Sequence, residues 1–249
     1  MYKEDQLKDF IESKINEYHE NILIKLGKLK LKAVLKKKNP YLFKNKGITS
    51  SAELIKHILS ASLSSSEESL FGSVLEQIAI FICGKKYGGT KSATTGIDLE
   101  FTAEGTKYLV AIKSGKNWSN AASKAKLLDN FRTAKKTIGT NTNKQRVVAV
   151  IGVCYGTDNI AEKGDYLHLC GQRFWQFISG EDELFKKIIV PLNQTQQQKD
   201  KFDIEYTKLE QTFITQFQND YCNDLDEIEW DKLLDFNASA EPGWQRMHI

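Results

Sequence analysis

The sequence has no apolar run near the roughly eighteen residues that a membrane-spanning helix needs. Its opening stretch, MYKEDQLKDF, is too polar for a secretory signal, so a cytoplasmic protein with no membrane partner is expected. Cysteine is sparse. Cys83, Cys154, Cys170 and Cys222 form no CxxC pair, and Cys83 and Cys154 sit in apolar runs where a thiol behaves as a small hydrophobe, so all four read as reduced. Histidine is equally thin, and His19 and His57 have no partner at ligand spacing, which argues against a zinc site. What the chain does have is a 41% hydrophobic content over 249 residues, enough to build a core and to exclude a disordered protein.

Acid is nearly missing from two stretches. Residues 105–148 hold eight Lys and two Arg against the single acid Asp129, and residues 25–38 hold seven Lys and no acid. Residues 199–235 show the reverse, with four Lys against eleven acids. A net charge of +3 thus conceals a basic surface suited to a polyanion and an acidic region that is not. A solvated basic face is the plain alternative.

Apolar residues at Leu7, Ile11, Ile15, Tyr18, Ile22, Leu26 and Leu29 predict a long amphipathic helix, continued by Leu31, Val34 and Leu35 until Asn39-Pro40 stops it. This helix either covers its own core or pairs with a second copy, and its KLKLKAVLKKK end could also meet anionic lipid or DNA. A loop over residues 39–47 precedes a helix capped by Thr49-Ser50-Ser51, and Ser64-Ser65-Ser66 reads as the start of another that carries Glu76 and closes at Gly84 and Gly88-Gly89.

Residues 96–120, GIDLEFTAEGTKYLVAIKSGKNWSN, predict a β-hairpin turning at Ala103-Glu104-Gly105-Thr106. A basic helix over residues 119–138, a loop over 139–145, and a strand RVVAVIGVC buried on both faces follow. Tyr166–Leu169 reads as a further strand, Arg173–Ile178 as a short helix, and Ile204, Leu209, Phe213 and Phe217 mark a long helix after a polar connection at Gln194–Gln198. The fold class expected is α/β, a mixed central sheet flanked by helices with helical additions at both ends. No linker cuts the chain, so a single domain is expected, with a helical arm at 1–38, a core at 39–180 and a helical region at 181–249.

The hairpin brings Asp98 and Lys113 to one end. Phosphodiester hydrolysis needs a positioned water, a cation to offset charge on the phosphate, and a proton-transfer or charge-stabilising group. Asp98 is the first metal ligand expected, the Ile112 backbone carbonyl can face the same cation, and Lys113 can serve the water. An acid, a hairpin, then acid-x-lysine is the pattern of PD-(D/E)XK nucleases, but here the last element reads Ala111-Ile112-Lys113. Glu100, two residues after Asp98 and expected as a further metal ligand, and Glu76 on the preceding helix are the acids that can complete the charge.

The segments LSSSEESLFGSVLEQIAIFI, GIDLEF, YLVAIKSGKNWSN and VVAVIGVCYG together resemble type II restriction endonucleases of the PD-(D/E)XK superfamily, in particular the PmeII-like branch, over residues 39–178. The resemblance implies a homodimer that hydrolyses double-stranded DNA at a short palindromic site with Mg²⁺, for which Mn²⁺ would substitute, alongside a cognate DNA methyltransferase. It implies that Asp98 ligates the metal and Lys113 is the catalytic lysine, with Glu100 and Glu76 as supporting acids. Lys116, Asn117, Trp118, Ser119, Asn120, Lys124, Arg132, Lys135 and Lys136 are the expected DNA contacts, the last three through phosphate. A repair or recombination nuclease of the same fold and a DNA-binding module that has lost catalysis are the alternatives.

Overall fold

A computed structural model describes residues 3–118, 120–141, 145–158 and 161–240. In order the chain forms helices α1 (Glu4–Lys28), α2 (Leu31–Leu35), α3 (Pro40–Asn45) and α4 (Ser51–Tyr87), strands β1 (Thr90–Lys91), β2 (Leu99–Ala103) and β3 (Thr106–Lys113), and helix α5 (Ala121–Asn141). Strands β4 (Arg146–Val153) and β5 (Tyr166–Cys170) follow, then helices α6 (Gln172–Ser179), α7 (Leu184–Lys187), α8 (Gln196–Tyr221) and α9 (Trp230–Ala238). The chain divides into two compact units, Met1–Tyr18 with Ser69–Gln194 and His19–Glu68 with Thr195–Ile249.

The first unit holds a mixed five-stranded sheet in the order β1-β2-β3-β4-β5. Its seed is local. Glu104 and Gly105 both adopt positive φ, 48° and 73°, the geometry that a two-residue hairpin turn requires, and this fixes the pairing of Ala103 with Thr106 and of Leu99 with Val110. From β3 the chain crosses through α5 and returns as β4 parallel to β3, with β5 parallel to β4. Alternation along β2 and β3 sends Leu99, Phe101, Val110 and Ile112 to one face, against Val74, Ile78 and Ile82 of α4 and Leu7, Ile11 and Ile15 of α1. It sends Leu109 and Ala111 to the other, against Leu127, Phe131 and Ala134 of α5. The apolar run of β4 is buried on both faces as its composition demands, with Val150 in the first layer and Ala149, Ile151 and Val153 in the second.

In the second unit, Leu31, Val34, Leu35 and Phe43 of α2 and α3 pack with Leu54, Ile55, Ile58 and Leu59 of α4 and with Phe213, Phe217 and Tyr221 of α8. A capping box opens α8, in which Thr195 Oγ1 accepts from Gln198 N–H at 3.2 Å and Gln198 Oε1 accepts from Thr195 N–H at 2.9 Å.

Several boundaries differ from those expected. The N-terminal helix breaks after Lys28, because Lys30 is extended (φ −126°, ψ 128°) and Gly27 weakens its last turn. Asn39-Pro40 begins a helix where a loop was expected: Asn39 Oδ1 accepts from Leu42 N–H at 3.2 Å, and Pro40 occupies the first turn, where a missing N–H costs nothing. The two helices expected on either side of Ser64 are one, α4. Serine costs only roughly 0.5 kcal/mol per position against alanine, and burial on both sides of the run outweighs that. Helix α4 ends at Gly88 (φ 68°), where the Gly89 amide bonds the Cys83 carbonyl at 3.2 Å. The basic helix α5 runs to Asn141, into the loop expected from residue 139, and α8 begins within the expected polar connection.

Candidate active site

Asp98 lies one residue before β2. Its amide bonds the Val110 carbonyl at 2.9 Å, and its carboxylate Oδ2 accepts the Ile112 amide at 2.7 Å. The side chain thereby extends the hairpin ladder past the end of β2, into the place a backbone carbonyl would otherwise take. Lys113 Nζ lies 3.7 Å from the same Oδ2, and both side chains are about three-quarters buried, at 26% and 22% exposure. The lysine ammonium also stands 5.5 Å from the centroid of the Trp118 ring. Asp98 and Lys113 are thus brought together at the mouth of the hairpin, where the sequence placed them.

The alternation of strand hydrogen bonds sets the next donor. Residues facing β4 include Lys113, whose carbonyl accepts from Cys154 N–H at 2.8 Å. Ile112 is out of phase with it, so its amide and carbonyl both lie on the edge turned towards β2 and Asp98.

The two other acids have different partners. Glu100, on β2, is held by both oxygens: Ser92 Oγ donates to Oε1, and Lys107 Nζ is 2.7 Å from Oε2. Burial alone would raise the Glu100 carboxyl, but the hydrogen bonds from Lys107 and Ser92 and the Lys107 charge outweigh it and hold the group below its ordinary range. Glu76, on α4, pairs with Lys91 of β1 at 3.3 Å. A Cβ placed on Gly72, one helical turn before Glu76, would come within ordinary van der Waals contact of Ser114, so α4 runs past the end of β3 at this point. Burial, with a smaller contribution from the Glu76 charge, pushes the Cys154 thiol up to about 12, which puts Glu76 within electrostatic reach of the residue bonded to the Lys113 carbonyl.

Neither Ser92, Lys91 nor Lys107 was found from sequence. Lys107 could have been, since pairing Glu100 with Leu109 makes Lys107 its diagonal neighbour across the hairpin.

The expected DNA contacts fall into groups. Asn117, Lys124, Arg132 and Lys136 are exposed, Trp118 and Lys135 half-buried. Lys116 Nζ donates to the Thr157 carbonyl, and Lys135 Nζ donates to the Asp165 carbonyl at 2.9 Å. Arg132 pairs with Asp165 at 3.6 Å, both largely exposed, which binds little. Asn120 caps α5, its Oδ1 accepting from Ser123 N–H at 2.9 Å. Ser119 lies outside the described residues.

A helix, an antiparallel hairpin, a crossover helix and a parallel strand, with an acid and a lysine at the hairpin mouth, constitute the restriction-endonuclease-like α/β fold. The family model for the type II restriction endonuclease EcoO109I matches residues 5–200, and the chain belongs to that family. It is a restriction endonuclease and acts on DNA. No curated protein matches the chain. No helix among the described residues is long and apolar enough to cross a membrane.

Proposed function

We propose that this protein is a Mg²⁺-dependent type II endonuclease of the PmeII-like branch, which cuts both strands of a short palindromic DNA site as a homodimer. The observation that carries this reading is the single Asp98 oxygen shared between the Ile112 amide and the Lys113 ammonium. Asp98 Oδ1 makes no hydrogen bond among the described residues, and with the Ile112 carbonyl it offers the hard oxygen donors that Mg²⁺ takes, as Mn²⁺ also would. Such a cation, when bound, offsets charge on the scissile phosphate. Lys113 orients the attacking water and stabilises the phosphate from the other side of Asp98.

Of the two supporting acids, Glu76 is the better placed. Its partner Lys91 is 72% exposed and gives way at little cost, whereas both Glu100 oxygens are engaged. Glu100 contributes by fixing the charge and position of β2 beside Asp98. Lys116, Asn117, Trp118, Ser119, Asn120 and Lys124, with Arg132, Lys135 and Lys136 of α5, supply the basic DNA-facing surface, mostly through phosphate. Two-fold pairing of the protein mirrors the symmetry of a palindromic site, and a cognate methyltransferase protects that site in the host.

Incubation with plasmid and Mg²⁺ tests the proposal. Discrete fragments with defined ends support it. A smear or structure-dependent nicking favours a repair nuclease, and tight binding without hydrolysis under Mg²⁺ or Mn²⁺ overturns it in favour of a module that lost catalysis with Ala111.

A further inference from the structure

We propose that Asp158, His168 and Cys170 form a binding site for one transition-metal cation of the zinc class, separate from the oxygen donors at Asp98. Ligand spacing along the sequence argued against zinc, but the sheet assembles what the chain separates. His168 and Cys170 alternate on β5 and so share one face, in register with Ile151 and Val153 of β4. Asp158 comes back over them from the segment that follows β4. His168 Nδ1 is 2.5 Å from Asp158 Oδ2, and Cys170 Sγ is 4.0 Å from Nδ1 and 3.9 Å from Nε2. One ligand atom from each residue lies within 4.8 Å of the others.

Thiolate, imidazole and carboxylate are a zinc donor set, and the sulfur selects against Mg²⁺ and Ca²⁺. Tetrahedral zinc, with a bond to sulfur near 2.3 Å and to nitrogen near 2.05 Å, needs these two ligand atoms about 3.6 Å apart. Nδ1 is the ring nitrogen that faces Asp158, and its observed distance of 4.0 Å from Cys170 Sγ must close by about 0.4 Å. The carboxylate must withdraw from its hydrogen-bond distance of 2.5 Å to about 3.3 Å, a side-chain rotation of less than an ångström.

The site is built. The Asp158 and His168 side chains are each only 18% exposed and Cys170 is buried. The His168 backbone amide bonds the Ala161 carbonyl at 2.7 Å, and Arg173 donates to the Asp158 backbone carbonyl at 3.2 Å, so the main chain that carries two of the ligands is fixed from outside the cluster. Lys163, 3.4 Å from Asp158 Oδ2, is the competing cation and must swing away as the metal enters; the Cys170 thiol loses its proton to solvent in the same step. The fourth position falls to water. A cation here would tie the segment after β4 to the edge strand beside Thr157, whose carbonyl receives Lys116.

Titrating metal-free full-length protein with Co²⁺ tests this without DNA, and so independently of the nuclease proposal. The expected result is one Co²⁺ per chain bound to thiolate, with visible ligand-field bands and a near-ultraviolet thiolate-to-cobalt charge-transfer band that saturates at that stoichiometry and is displaced by Zn²⁺. Cys170→Ser should remove the charge-transfer band and weaken Zn²⁺ at least about tenfold, while Asp98→Asn leaves both unchanged. Absence of the charge-transfer band in the wild-type protein, or Zn²⁺ bound equally well by Cys170→Ser, overturns the assignment.

Discussion

The Asp98 carboxylate and the Ile112 amide form a 2.7 Å hydrogen bond that couples the proposed metal ligand to the fold itself. Removing the side chain therefore has two effects. Asp98→Ala strips a ligand and also leaves the Ile112 N–H in a partly buried place without an acceptor, which costs about 1–3 kcal/mol. Asp98→Asn keeps an acceptor oxygen there and removes only the charge. We expect the Asn variant to melt close to wild type while its cleavage falls by at least about 10²-fold. The Ala variant should lose both stability and cleavage. Thermal unfolding beside plasmid digestion checks this, and an Asn variant that still cuts would remove Asp98 from the chemistry.

Glu76 and Glu100 are separated by their partners. Lys91 is an exposed surface cation, but Ser92 and Lys107 grip Glu100 on both oxygens. Glu76→Gln is expected to reduce cleavage by about 10²-fold or more with little change in melting temperature. Glu100→Gln should lower stability and affect cleavage less. Single-turnover rates at saturating Mg²⁺ decide the order; the reverse ranking would make Glu100 the second metal ligand.

The Glu100 carboxyl, lowered in the folded state from an ordinary 4.5, makes stability depend on pH. A depressed carboxyl stabilises the folded chain above its unfolded value, and the contribution disappears as pH falls through the folded one. The melting-temperature gap between wild type and Glu100→Gln should thus be full at pH 6 and shrink below about pH 4.5. A gap that stays constant across a series of acidic buffers would mean that Glu100 is not held by Lys107 in solution.

How far the sequence reveals this molecule depends on how local each feature is. The hairpin is legible because Glu104-Gly105 sets its own register, and Asp98 and Lys113 follow from counting back from that turn. The β4 strand is legible from its unbroken β-branched run. Helix α4 is not, because three consecutive serines mimic a helix start and only burial in the folded protein overrides them. The grouping of Asp158 with His168 and Cys170 is further out of reach, since it rests on the parallel register of β4 and β5 and on the tertiary placement of Asp158 beside His168. Glu76 was visible as a carboxylate in an apolar helix, but its pairing with Lys91 depends on how α4 lies against β1.

Gly152 shows how closely the proposed site depends on core packing. It pairs with Ile112 across β3 and β4, and a Cβ placed on it would lie 2.2 Å from Cε2 of fully buried Phe174, far inside contact distance. The ring cannot retreat easily, because Phe174 packs on Trp175 with centroids 5.3 Å apart, and Trp175 is anchored by its indole N–H to the Cys154 carbonyl at 2.8 Å. Gly152→Ala must then push β4 or α6 outward, an overpacking strain of about 1–3 kcal/mol. Because Ile112 sits opposite, part of that shift reaches the amide that holds Asp98. Loss of melting temperature together with reduced cleavage is expected, and Phe174→Leu in the same background should recover part of both by making room for the methyl group. Rescue of stability without any rescue of cleavage would show that the displacement stops short of Ile112.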